Sequence, residues 1–364
     1  MKSITKKLTH FNFNIFAHQS LPLSKTVFLF TPPFTQLNTP YPATAYLKGF
    51  LNTKNISSLQ ADLGIEVTLQ LFSKKGLTHL FSLMKEGEEL SLNAQRILAL
   101  KDDYIRCIDD VILFLQGKNP TIAHLIASRN LLPEANRFQE LTDFQWAFGS
   151  MGLQDKAKHI ATLFLEDLSD FIKETIDEHF GFSRYAERLG RSANSFDELY
   201  AELQQPLSYV DQLLIQCLQE HIETVQPKLV CISVPFPGNL FAAFRSAQWL
   251  KQQHPEINVC MGGGFPNTEL RSLKDVRVFE FFDFITLDDG EAPIEQLIKF
   301  IHHEIPVKEL KRTFLLQDDT VVYINNASCK DYKQADVGTP DYNDLLLDQY
   351  ISAIEVVNPM HSLW

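Results

Sequence analysis

The sequence predicts an α/β protein: a doubly wound parallel sheet interrupted by a large all-helical insertion. Three observations carry this. Short, mainly apolar runs near residues 26–30, 229–234, 257–261 and 284–287 alternate with helical periods. That alternation is the mark of strands joined by helical crossovers. Between about residues 65 and 226 the strand signal disappears and helical stripes replace it. Finally, 364 residues with 45% apolar and 21% charged content describe an ordinary globular chain with material for two to three domains.

Each element has a local reason. Thr26-Val-Phe-Leu-Phe30 is apolar, aromatic and β-branched, and Pro32-Pro33 ends it, so it reads as a buried strand entering a loop. The loop, residues 31–41, carries Pro32, Pro33 and Pro40. Pro42 suits the first turn of a helix, where a missing N–H costs nothing, and Ala43 to Leu51 supply that helix. Ile56 to Leu63 reads as a second strand. In the insertion, Ile105, Ile108, Ile112 and Leu115 share one helical face. Ile160, Leu163, Phe164, Phe171 and Ile172 share another, with Gly181 as its stop. Val210, Leu213, Leu214, Cys217, Leu218 and Ile222 form the cleanest stripe. The α/β pattern returns with a strand at Leu229 to Val234, a helix at Leu240 to Gln253, and a strand at Ile257 to Met261 that breaks into Gly262-Gly263-Gly264. Phe284 to Leu287 is a further strand, followed by Asp288-Asp289-Gly290-Glu291 and a helix to Ile301. Phe314 to Gln317 and Val321 to Ile324 flank Asp318-Asp319-Thr320 as a hairpin. The expected organisation is therefore 1–64 and 227–310 as two parts of one α/β domain, 65–226 as the helical insertion, and 311–364 as hairpin and connector.

Composition excludes several functions. The net charge of −12 opposes wrapping a nucleic-acid backbone and is repelled by an anionic membrane surface. No apolar run approaches the roughly 20 residues of a membrane span, and a cytoplasmic location is the expectation. Five cysteines, an odd number with no Cys-x-x-Cys pair, indicate neither a disulfide framework nor a metal ribbon. Cys231 and Cys260 lie in apolar runs and read as buried thiols.

Open parallel sheets bind ligands beyond the carboxyl ends of their strands. The loops to watch are 31–41, 233–239, 262–267 and 288–291. No Gly-x-Gly-x-x-Gly or Gly-Lys-Ser/Thr phosphate loop is present. Asp288, Asp289 and Glu291 suit either a cation or the start of a helix, where carboxylates are expected. No Ser-His-Asp or Cys-His pairing is supported by spacing, and no catalytic or metal-ligating residue is assigned.

Ser233-Val234-Pro235, followed after 26 residues by Gly262-Gly263, resembles the Ser-x-Leu … Gly-Gly pattern of cobalamin-binding domains. Thr31-Pro32-Pro33 with Pro42 resembles the start of the cobalamin-binding module that precedes radical S-adenosylmethionine (radical SAM) domains. Gly290-Glu291 resembles the end of that module's Gly-Glu-Gly-Glu turn, and Thr339-Pro340-Asp341-Tyr342 with Leu345 and Tyr350 resembles the connector into the radical domain. The resemblance covers residues 26–63 and 228–361. It implies a Rossmann-like fold of the cobalamin-binding type. The cofactor-binding residues it marks are Thr31, Pro32, Pro33, Ser233, Val234, Pro235, Gly262, Gly263, Gly264, Gly290 and Glu291. The cofactor tail would slide between strands at the small Ser and the bare glycines. Asp-x-His-x-x-Gly is absent, so no histidine of this chain is offered as a lower cobalt ligand. Cys-x-x-x-Cys-x-x-Cys is also absent. The [4Fe–4S] cluster and S-adenosylmethionine are accordingly expected only in a radical SAM domain beyond Trp364; the tail from Ala353 is expected to be poorly ordered or held by a neighbouring chain, and trimming at about Asp348 to leave the α/β fold intact. The rival readings are a nucleotide- or sugar-nucleotide-binding enzyme using the glycine turn, and a cofactor-free scaffold.

Overall fold

A computed structural model describes residues 27–84, 89–143, 152–182, 185–191 and 196–353. The first strand, β1 (Val27–Thr31), is buried along its whole length. Phe28 and Phe30 point to one side and Val27 and Leu29 to the other, into two separate apolar cores. A strand covered on both faces is apolar almost throughout, which is why Val27 to Phe30 do not alternate with polar residues.

α1 (Ala43–Thr53) follows on the Leu29 side, then β2 (Ser58–Asp62). The expected second strand stops before Leu63 because the Asp62 carboxylate accepts from Gly64 N at 2.9 Å and Ile65 N at 3.3 Å. This N-cap starts α2 (Leu63–Leu71), so the helical layer begins at Leu63. It continues through α3 (Lys74–Ser82), α4 (Leu92–Ala99), α5 (Lys101–Leu115), α6 (Ala123–Ala127), α7 (Gly152–Thr175), α8 (Glu187–Arg191), α9 (Asp197–Leu203) and α10 (Tyr209–Val225). Among the described residues of this layer there is no strand. The stripe of α10 is buried as its period requires. α7 ends at Thr175, six residues before the expected stop at Gly181. Asp177 takes over there: it accepts from His179 N, Tyr185 Oη and Ser208 Oγ, and that buried turn redirects the chain.

β3 (Leu229–Ser233), α11 (Leu240–Gln253), β4 (Asn258–Gly262), α12 (Gly264–Glu269), β5 (Phe284–Thr286) and α13 (Glu291–Ile301) complete the α/β domain. β6 (Thr313–Gln317) and β7 (Thr320–Ile324) form the expected hairpin. Its two-residue turn has Asp318 and Asp319 both at positive φ, 46° and 56°, the backbone that matches strand twist.

The sheet order is β2-β1-β3-β4-β5-β6-β7. The first five strands are parallel and the hairpin is antiparallel. The chain winds outward from β1 in one direction and from β3 in the other, so the doubly wound switch point lies between them. α1 and α13 cover one face. α2, α10, α11 and the remaining insertion helices build the larger core on the opposite face. The insertion therefore thickens one side of the sheet and leaves the α1–α13 side uncovered by it. Among the described residues no helix is long and apolar enough to cross a membrane.

Candidate functional site

The carboxyl ends of β1, β3, β4 and β5, together with α1 and the start of α13, enclose a cleft of about 210 Å³. It lies at the switch point, where an open parallel sheet presents diverging loops. Leu29, Cys231, Cys260, Ile294 and Leu297 give it an apolar base, and Asp288, Asp289 and Glu291 stand at its rim.

Five expected site residues meet here: Ser233, Gly262, Gly263, Gly290 and Glu291. Ser233 Oγ is buried and has no hydrogen-bond partner among the described residues. Such a group costs free energy unless something completes it. Register places Ser233 beside Gly262. A Cβ on Gly262 would approach Thr286 Oγ1 to 3.0 Å, so its absence keeps the cleft open between Ser233 and Thr286. A Cβ on Gly290 would come within 3.0 Å of a Leu47 methyl, and the bare backbone lets α1 and α13 close on each other.

The other six do not line the cleft. Gly263 has φ +106°, and a Cβ there would sit 2.7 Å from the Val234 carbonyl oxygen. Val234 N donates to Gly262 O and Phe265 N donates to Val234 O. A Cβ on Gly264 would meet Pro235 O at 2.7 Å. Val234, Pro235 and Gly264 thus serve the packing of the glycine turn against the β3 loop, and Gly263 serves both packing and cleft. Thr31, Pro32 and Pro33 are buried but do not line the cleft. Pro32 O accepts from Asn239 Nδ2 at 2.8 Å, and the next residue, Phe34, stacks edge-on against Phe180 and Tyr185.

Five contributors to the cleft were not among the expected site residues. Ala43 and Thr44 put small side chains at the cleft from the first turn of α1, a signal present in the residues after Pro42. Thr286 adds a hydroxyl, 3.5 Å from Met261 O. Cys231 and Cys260 are neighbours across β3 and β4. A hydrogen bond to Cys260, together with burial, pushes the Cys231 thiol well above its ordinary range.

The rim is engaged in part, at the Asp288 carboxylate and the Asp289 backbone carbonyl. Asp288 pairs with Arg271, and its N–H donates to Asn267 Oδ1. Arg312 donates to Asp289 O and Leu287 O and pairs with Asp331. These contacts set the turn into α13. Among the described residues no group of three or more His, Cys, Asp or Glu side chains is arranged to hold a metal ion. Comparison with protein-family profiles, curated proteins and solved structures returns no match for this chain.

Proposed function

We propose that the cleft binds the nucleotide tail of cobalamin, and that the chain is the cobalamin-binding module of a radical SAM enzyme. The observation that carries this reading is the orphaned Ser233 hydroxyl facing a side-chain-free Gly262 inside an apolar cleft at the switch point. A volume of about 210 Å³ is below the roughly 300–1,000 Å³ of whole-ligand pockets. It suits one aromatic base at the end of a larger cofactor whose bulk stays outside. A sugar nucleotide bound through the glycine turn is disfavoured, because Gly263 and Gly264 are pressed against Val234 and Pro235 and offer no open phosphate cradle.

In this reading Ser233 and Thr286 supply hydroxyls to the tail, Gly262 leaves its path clear, and Leu29, Ile294 and Leu297 exclude water beneath it. Bound cobalamin would supply a cobalt centre able to carry a methyl group. The cluster, S-adenosylmethionine and the substrate would belong to a radical SAM domain in the same protein.

The test is reconstitution with hydroxocobalamin followed by gel filtration. The expected result is one retained equivalent, with the spectrum of a cobalt lacking a histidine nitrogen. Gly262→Val should remain folded by circular dichroism and lose the cofactor. Colourless wild-type protein would sink the proposal.

A further inference from the structure

Cys231 and Cys260 form a feature that the cobalamin reading does not use. Parallel pairing of β3 and β4 sets them side by side, 29 residues apart in sequence. Both face the α1–α13 side and both line the base of the cleft. Both are free thiols.

Strand spacing decides what two such sulfurs can do. Adjacent strands lie about 4.8 Å apart, so in-register Cβ atoms are separated by a similar distance. A disulfide prefers about 3.5–4.5 Å between Cβ atoms, which would pull the strands together. One soft cation between the sulfurs needs no such movement. Metal–thiolate bonds of about 2.3 Å each span up to about 4.6 Å. The neighbours Leu29, Ile294 and Leu297 bring no donor atom, and the nearest oxygens, Met261 O and Thr286 Oγ1, are neutral and stand 3.7 and 3.9 Å from Cys260 Sγ. No third His, Cys, Asp or Glu completes a cluster among the described residues. Zinc demands four ligands; thiolate pairs select Cu(I) instead.

We propose that Cys231 and Cys260 together hold one soft monovalent cation of the Cu(I) class at the base of the cleft. Two S–H bonds break, two Cu–S bonds form, two protons leave to solvent, and the copper stays in the +1 state.

The test uses the full reduced chain under anaerobic conditions, with Cu(I) delivered as its coloured bicinchoninate complex. One equivalent per chain should transfer to the protein, and X-ray absorption of the loaded wild type should show two sulfur neighbours. Cys231→Ala and Cys260→Ala should each cut transfer at least tenfold, while Cys329→Ala leaves it unchanged. Melting curves establish that the variants are folded. If either alanine variant is unfolded, the wild-type absorption spectrum still decides. No transfer to the wild type, a full equivalent bound by either variant, or nitrogen and oxygen neighbours around the copper would overturn the proposal. None of these outcomes depends on whether cobalamin binds.

Discussion

Tyr350 donates its hydroxyl to Asp62 Oδ2 at 2.7 Å. Asp62 is the residue that caps α2, so the last described stretch of the chain is tied to the entrance of the helical layer. Ile351 N donates to Leu37 O and Ser352 N to Leu115 O. Ile351 is fully buried in the larger core. Upstream, the connector crosses α1 so closely that a Cβ on Gly49 would stand 2.1 Å from Thr339 O. Lys48 pairs there with Asp344. These contacts run against the expectation that trimming at about Asp348 leaves the fold intact. The strand expected at 353–357 lies, from residue 354 onward, outside the described residues.

Truncation after Asp348 should therefore destabilise the protein. Removing a buried Ile side chain costs about 2–5 kcal/mol, and Ile351→Ala alone should show a loss of that size in urea unfolding. Tyr350→Phe should cost about 1–2 kcal/mol by stranding the buried Asp62 carboxylate. A truncated protein that unfolds at the same urea concentration as the full chain would contradict this assignment.

Burial raises the Asp62 carboxyl to about 6, against hydrogen bonds from Tyr350, Ile65 and Gly64 that pull it down; nearby Glu66 adds to the rise. The folded state therefore holds this proton more tightly than the unfolded state. Its contribution is most favourable below about pH 4 and is lost as pH rises through about 6. The tighter hold on this proton corresponds to something on the order of 3 kcal/mol. Asp62→Asn keeps an acceptor for the helix cap, turns its NH2 to donate to the Tyr350 oxygen, and cannot ionise. Relative to wild type, its stability should improve between pH 4 and 6 and level off above pH 7. A difference independent of pH would rule the effect out.

Arg245 of α11 and Asp211 of α10 form an ion pair at 3.0 Å with both side chains almost wholly buried. Arg245 also donates to Leu203 O at 2.9 Å and so joins α9, α10 and α11. Removing one partner of a buried pair leaves an uncompensated charge, at about 3–5 kcal/mol. Arg245→Met should show a loss of that order in chemical denaturation, and adding Asp211→Asn should recover part of it. Equal stability of wild type and Arg245→Met would refute the role.

The two glycines next to Ser233 should respond differently. Gly263→Ala forces a Cβ into the Val234 backbone at positive φ, and strain of this kind costs about 1–3 kcal/mol. Gly262→Ala meets only the Thr286 hydroxyl, which can turn away. It should leave the melting temperature within about a degree while weakening retention of hydroxocobalamin. Loss of stability at 262 comparable to that at 263 would remove the distinction between cleft and packing glycine.

The run of strands and helices was legible because local chemistry decides it. Val27 to Phe30 is apolar at every position, the Val210–Ile222 stripe has helical period, and Leu240 to Gln253 is a helix with the bounds its pattern predicts. The resemblance marked Ser233, Gly262 and Gly290, because small residues at the ends of β3 and β4 and in the turn before α13 are visible in one dimension. Tertiary structure alone decided which face each residue serves. Alternation tells Phe28 from Leu29 but not which of the two meets the insertion, since both sides of β1 are buried. The 31–33 loop left the site because Phe34 finds Phe180 and Tyr185 about 150 residues away. The Cys231–Cys260 pair exists only because β3 and β4 align in register, and strand neighbours are chosen by packing between distant segments, which no local pattern encodes.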